Sequence, residues 1–254
     1  MRLLFLNPNT STSLTDRMAS AVRPYIAPTT ELVPATATRG FPYISSRAEA
    51  DVSASIVLEM IAEHVGDVDA VVVAAFGDPG LYSARELYDI PIVGVAEAAI
   101  LTACAVGDRF GIVTFSQVMS TWYLDSVSRA RLDARFTGVR VPSQPAPPSG
   151  IDTVQETLGD QLVELVDTAV TTDKADVVII GGAPLAGFAA TVEDRVAVPV
   201  IDPVVAGVLY AEMLVRLGLS APLKGAYARP PAKPSIGLPP ALARRIGGPI
   251  DRLS

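Results

Sequence analysis

Side chains able to move a proton, ligate a metal or attack a carbon are scarce in this 254-residue chain, which holds one cysteine, Cys104, and one histidine, His64. A lone cysteine excludes an intrachain disulfide framework and any multi-cysteine metal site. Cys104 lies in the apolar run Ala98–Val106 and reads as a packed helical thiol, because reactive thiols need polar, electropositive surroundings. His64, close to Gly66 at the expected end of a helix, reads as a helix-end group rather than a metal ligand. Chemistry must therefore come from short polar groups in loops, and two loops carry most of them: Asn7-Pro8-Asn9-Thr10-Ser11 and Phe76-Gly77-Asp78-Pro79-Gly80. Asp78 is the only acid within a central loop. We read it as the cap of the following helix, with Pro79 as the first helical residue, in preference to a catalytic role. Glu97 is likewise read as a first-turn acid, and Tyr43, Ser45 and Ser46 as residues that solvate a turn.

These loops need elements to hold them, and the chain supplies the same set twice. Residues 69–80 run from an acid through an unbroken apolar strand into a turn, the pattern of a strand covered on both faces in a parallel sheet. Residues 176–187 repeat acid, apolar strand, small pair and Pro-containing turn, with Asp176 placed 176 − 69 = 107 positions after Asp69. Arg2 and Arg109 open two further strands at the same offset, 109 − 2 = 107, and Pro91 is echoed by Pro199 at 199 − 91 = 108. The first strand runs into Asn7-Pro8-Asn9-Thr10, and its counterpart ends in Thr114-Phe115-Ser116. Asn9, Thr10 or Ser11 caps a helix there, and the same loop faces a cleft, since ligands of open α/β sheets bind at the carboxyl ends of strands. A period this long points to two similar halves and not to a stacked solenoid.

The expected architecture is α/β, with two pseudo-symmetric doubly wound domains built on parallel sheets. The first comprises residues 1–98 with 205–218, the second residues 99–204, and a Pro-rich tail occupies 219–254. No periodicity is read in that tail from Ala221 onward, and the Pro-rich stretch 143–149 is read as a loop or flap. Trp122 and Tyr123 read as packing residues of an amphipathic helix. Net charge is −7, from 27 acids and 20 bases without a long basic run, so nucleic acid is not an expected partner. No window approaches the ~18 uninterrupted apolar residues of a membrane span. The single cysteine and the absence of a signal-peptide pattern suit a cytoplasmic protein that takes a small-molecule substrate.

Four segments in order carry a specific resemblance: Asn7-Pro8-Asn9-Thr10, Phe76-Gly77-Asp78-Pro79-Gly80-Leu81, Ile92-Val93-Gly94-Val95-Ala96-Glu97-Ala98-Ala99 and Val198-Pro199-Val200-Ile201-Asp202-Pro203. Over most of residues 1–218 the chain resembles the hydantoin and allantoin racemases of the aspartate/glutamate racemase superfamily. The resemblance implies two pseudo-symmetric domains, a site between them, homo-oligomerisation and cofactor-free chemistry in which two cysteines pass a proton between opposite faces of a carbon. Those two positions are here Ala75 and Gly182, which carry no ionisable group. Pro184-Leu185 also stands where the family usually has glycine and methionine, which favours a natural cysteine-less branch over an engineered one.

The reading at this stage is a cofactor-independent racemase or epimerase acting on a small carboxylate or hydantoin-like cyclic amide without the two-cysteine mechanism. The alternatives are a cofactor-free lyase or hydrolase on the same scaffold, or a non-catalytic binding protein. The expected lining is Asn7, Asn9, Thr10, Ala75, Phe76, Gly77, Thr114, Ser116, Gly182, Ala183 and Pro184, with Ala75 facing Gly182 and no metal. Loss of two thiols should enlarge the pocket.

Overall fold

Two strands of four residues, β3 (Ala70–Val73) and β7 (Val177–Ile180), are built almost wholly of β-branched side chains and are buried along their full length. Such strands need helices on both faces, and the chain alternates accordingly. A computed structural model describes residues 1–143, 151, 153–222 and 224–248. The first half contains β1 (Arg2–Asn7), α1 (Thr12–Val22), β2 (Glu31–Thr36), α2 (Arg47–His64), β3, α3 (Leu81–Leu87) and β4 (Ile92–Gly94). Helix α4 (Val95–Val106) leads into β5 (Phe110–Val113), α5 (Ser120–Ala130), β6 (Phe136–Arg140), α6 (Val154–Thr171), β7, α7 (Phe188–Val192) and β8 (Val200–Ile201). Helix α8 (Pro203–Arg216) and the short α9 (Pro240–Gly247) close the chain.

Both sheets are parallel and share one topology, β2-β1-β3-β4 and β6-β5-β7-β8. The duplication holds at atomic detail. Leu3 pairs with Ala70 and Phe110 with Val177, and 110 − 3 = 177 − 70 = 107. Asp69 accepts the backbone N–H of Arg2 at 2.7 Å, and Asp176 accepts that of Arg109 at 2.8 Å, so each acid ties the start of one central strand to its neighbour. The edge pair departs from the repeat, because β5 and β6 shift register between Phe110 and Ile112. In each sheet the chain leaves the first strand to one side and returns on the other, so a crevice opens at the carboxyl ends of β1 and β3, and again at those of β5 and β7.

The halves share a continuous hydrophobic core that joins Phe5, Val72 and Val95 to Ile112, Ile179 and Val204. Helix α8 follows β8 of the second sheet yet packs on α1, α4 and the strands of the first. Ser11 and Ser46 cap α1 and α2 through the backbone N–H groups of Leu14 and Glu49, and Asp202 with Pro203 opens α8.

Between β7 and β8 the chain places two 3₁₀ turns, Ala183–Leu185 and Glu193–Arg195, around the five-residue α7. One expectation is corrected here. The tail does contain periodicity: α9 buries Leu242 against the first half, and Arg245 donates to Leu87 O at 2.7 Å and to Asp89 Oδ2 at 2.6 Å. Eight residues between prolines are too short to register as an amphipathic pattern, and contact with α2 decides the matter. Apart from Ser143, the Pro-rich stretch 143–149 lies outside the described residues, as do 249–254 of the tail.

Candidate functional site

At the end of β1 the two asparagines bond chiefly to each other and to their own loop. Asn7 is fully buried, and its Nδ2 donates to Asn9 Oδ1 at 2.9 Å and to Thr15 Oγ1 at 2.9 Å, while its Oδ1 accepts the Asn9 N–H at 3.1 Å. Asn9 Oδ1 also accepts the Ser11 N–H at 3.0 Å, and the Thr10 N–H donates to Phe41 O at 2.8 Å. These side chains set the curvature of the loop beside the crevice.

Asp78 follows the end of β3 in a left-handed conformation, φ 51°. The sequence reading made it the cap of its own helix, and the structure corrects this. Helix α3 begins only at Leu81, after Gly80, and the Asp78 carboxylate instead accepts the N–H groups of Ala96 at 2.9 Å and Glu97 at 2.8 Å, capping α4. Gly94 makes this possible, since a Cβ there would collide with the carboxylate. Burial pushes the Asp78 carboxyl up to about 7 against the pull of its two amide bonds, and neighbouring Glu97 raises it further while Arg85 lowers it. Arg85 donates through Nη1 to Glu97 Oε1 at 3.0 Å, so Glu97 is an ion-pair partner as well as a first-turn acid.

In the second half Thr114 ends the central strand. Its hydroxyl is fully buried and makes no hydrogen bond of ordinary geometry, although it lies beside the Tyr123 phenol. Burial raises the Tyr123 phenol above its usual range, and Thr114 partly offsets this. Gly182 has φ 121°, a region that side-chain-bearing residues rarely enter, and a Cβ there would lie 2.8 Å from Phe115 Cε1 and 3.7 Å from Thr114 Oγ1. Ser116 opens the 3₁₀ turn Gln117–Met119, and Ala183, Pro184 and Leu185 form another. Two residues outside the expected lining hold this second loop, and the sequence reading had no role for the first of them, Gln155. Gln155 Nε2 donates to Pro184 O and Ala186 O, both at 2.9 Å, and Asp202 accepts the Gly187 N–H at 2.6 Å. No local pattern announces such ties, because each joins residues far apart in the chain.

The two loops meet. A Cβ on Gly181 would lie 3.4 Å from Phe76 Cδ1, and Phe76 packs edge-on against Tyr123 with ring centres 4.5 Å apart. Phe76, Gly182 and Ala183 border a void of about 10 Å³ whose other walls include Met18, Ala74, Val95 and Val204, and Phe115 lies against the position a Cβ on Gly182 would take. What the loops offer is hydrogen-bond donors. The backbone N–H groups of Ala75, Phe76 and Gly77 in one half, and of Phe115, Gly182 and Ala183 in the other, take no partner among the described residues. Successive free amides at strand ends suit a carbonyl oxygen or an anion. Among the described residues no cluster of His, Cys, Asp or Glu is able to hold a metal ion. Cys104 sits in α4, half-buried, with its thiol pKa raised by burial.

Fold and site together define a duplicated, doubly wound α/β protein whose strand-end loops converge between two parallel sheets. The model of the family described as Asp/Glu/Hydantoin racemase matches residues 3–211. The chain is 33% identical over 235 residues to a hydantoin racemase of Paenarthrobacter aurescens, covering 92% of this chain and 99% of that protein. Among solved structures it resembles an allantoin racemase from Klebsiella pneumoniae, with TM-score 0.89, 31% identity, and 95% of this chain and 98% of that one covered. It also resembles an allantoin racemase from Pseudomonas fluorescens, with TM-score 0.84, 33% identity, and 93% and 100% covered. The chain belongs to the Asp/Glu/hydantoin racemase family.

Proposed function

We propose that the protein is a cofactor-independent racemase that moves a proton at a carbon of a small cyclic amide held between the two strand-end loops, and that it does so without thiols. The observation that carries this reading is the set of unpartnered donors at the loops, three amides from each half, with the buried Thr114 hydroxyl beside them. Solvent water takes the proton from the carbon next to the carbonyl and returns one to either face, and free backbone donors at the enolate oxygen stabilise the charge formed in between. In this reading Asn9, Thr10, Ser116 and Pro184 complete the walls, and Ala75 and Gly182 occupy the positions where the resemblance places the family's thiols. The rate lacks the general-base contribution of about 10²–10⁴-fold that such thiols supply. The family relatives favour this function over the lyase, hydrolase and binding-protein alternatives. We further read the protein as cytoplasmic, from its single cysteine, and as a homo-oligomer, from the exposed apolar residues Leu209, Met213 and Leu217 spaced along α8.

The test incubates the protein with a resolved 5-substituted hydantoin in D₂O and follows optical rotation and deuterium incorporation, before and after iodoacetamide. Racemisation above the buffer blank, with matching exchange and no response to alkylation, is the expected result. Absence of both signals removes the function. Activity abolished by iodoacetamide assigns the chemistry to Cys104 and removes the thiol-free mechanism.

A further inference from the structure

Helix α5 belongs to the second half, yet one stripe of it lies on the first. Trp122, Asp125 and Arg129 are spaced i, i+3, i+7, which places them along a single helical face. The Trp122 indole covers Gly77 so closely that a Cβ there would collide with it. Asp125 receives a two-point ion pair from Arg47 at the start of α2, Nε to Oδ2 at 2.5 Å and Nη2 to Oδ1 at 2.6 Å. The Arg129 guanidinium stands over the Tyr82 ring of α3 at 5.4 Å, and Tyr82 stacks in turn on Tyr227 of the tail at 6.3 Å. The indole borders an outer space of about 600 Å³ that Arg47, Asp51, Asp78 and Asp125 also line.

We propose that α5 is a latched lid over the strand-end loops, sealed by Trp122 on Gly77 and fastened by Arg47–Asp125 and Arg129–Tyr82. Ala75 and Phe76 are only 6% and 4% exposed, and the indole lies over Gly77 beside them, so the lid must lift for a ligand to pass from the outer space to their free amides. Its ends suit that movement: the 3₁₀ turn Gln117–Met119 precedes it, and Arg131 at φ 57° stops it, so the backbone changes direction on both sides of one rigid helix. The fastenings are also of a kind that can open. The Arg47 and Asp125 side chains are 60% and 36% exposed, so water and salt compete with the pair, unlike a buried pair that would leave stranded charges. The proposal rests on the functional reading only for what passes beneath the lid.

Trp122 is the only tryptophan, so its fluorescence reports on the lid alone and needs no turnover. The experiment measures acrylamide quenching and emission wavelength for the wild type, Asp125→Asn, Arg129→Gln and the control Asp51→Asn, at low salt and at about 0.5 M salt, with circular dichroism to verify folding. The wild type at low salt should be blue-shifted and poorly quenched. Asp125→Asn, Arg129→Gln and high salt should each raise the quenching constant by about twofold or more, with Asp51→Asn unchanged. Folded Asp125→Asn and Arg129→Gln proteins that quench like the wild type would overturn the lid, whether or not the protein racemises hydantoins. Raised quenching without racemisation would uphold the lid and reject the proposed function instead.

Discussion

Thr114 and Asp78 are buried polar residues with opposite bonding situations, and each makes its own prediction. The Thr114 hydroxyl is fully buried with the Tyr123 phenol beside it and no hydrogen bond of ordinary geometry, and the proposed function gives it a ligand oxygen as partner. Thr114→Val keeps the shape and removes the hydroxyl. It should leave the denaturant midpoint unchanged or raise stability by about 1 kcal/mol, while weakening hydantoin affinity about tenfold in calorimetric titration. Asp78 is bonded by two amides yet held near pKa 7 by burial. The native state therefore keeps a proton on Asp78 that the unfolded chain has already lost above about pH 4. Its contribution is fully present below that pH and lost as pH rises through about 7, a fall of about 1.4 kcal/mol per pH unit across the window. Asp202, also raised by burial, acts with the same sign. Urea midpoints measured from pH 4 to 8 should show this decline, and Asp78→Asn should flatten it.

At the scale of elements, the end of β7 differs from a simple deletion of a side chain. The turn holds Gly182 at φ 121° with Phe115 pressed against the site of a Cβ, and Gln155 and Asp202 brace the loop beyond it. The turn is shaped for glycine, so adding even a methyl group meets both backbone strain and a steric neighbour. Gly182→Ala should lower stability by about 1–3 kcal/mol, read from chemical denaturation, and Gly182→Cys should do no better. A midpoint equal to the wild type would show that Phe115 and the turn move aside easily.

In the whole molecule one hydrophobic cluster lies within the first half, and the two halves are joined through a second, shared cluster by α8, which crosses from the second sheet onto the first and packs along α4. Its outer face leaves Leu209, Met213 and Leu217 exposed at successive turns, while α9 and the tail cover α2 and Tyr82 on the first half. The tail thus folds back on its own chain, and in the proposed assembly a second copy covers the α8 stripe. Light scattering at micromolar concentration should give a mass at least twice that of the 26.6 kDa chain. Substituting Met213 and Leu217 with glutamate should return it to the monomer without unfolding it. A monomeric wild type would remove the assembly reading.

The sequence by itself determined what repeats locally. Unbroken β-branched runs fixed the buried strands, the offset of 107 marked the second half, and the polar loops at strand ends located the crevice. These are short-range patterns, readable because burial on both faces of a parallel sheet leaves its mark on every residue of a strand. Tertiary structure alone decided which helix Asp78 caps, that Phe115 presses on Gly182, that Gln155 and Asp202 hold the loop, and that Trp122 rests on Gly77. Each of these depends on a partner many residues away, and loop direction and side-chain packing set such distances only after the two sheets have been brought together.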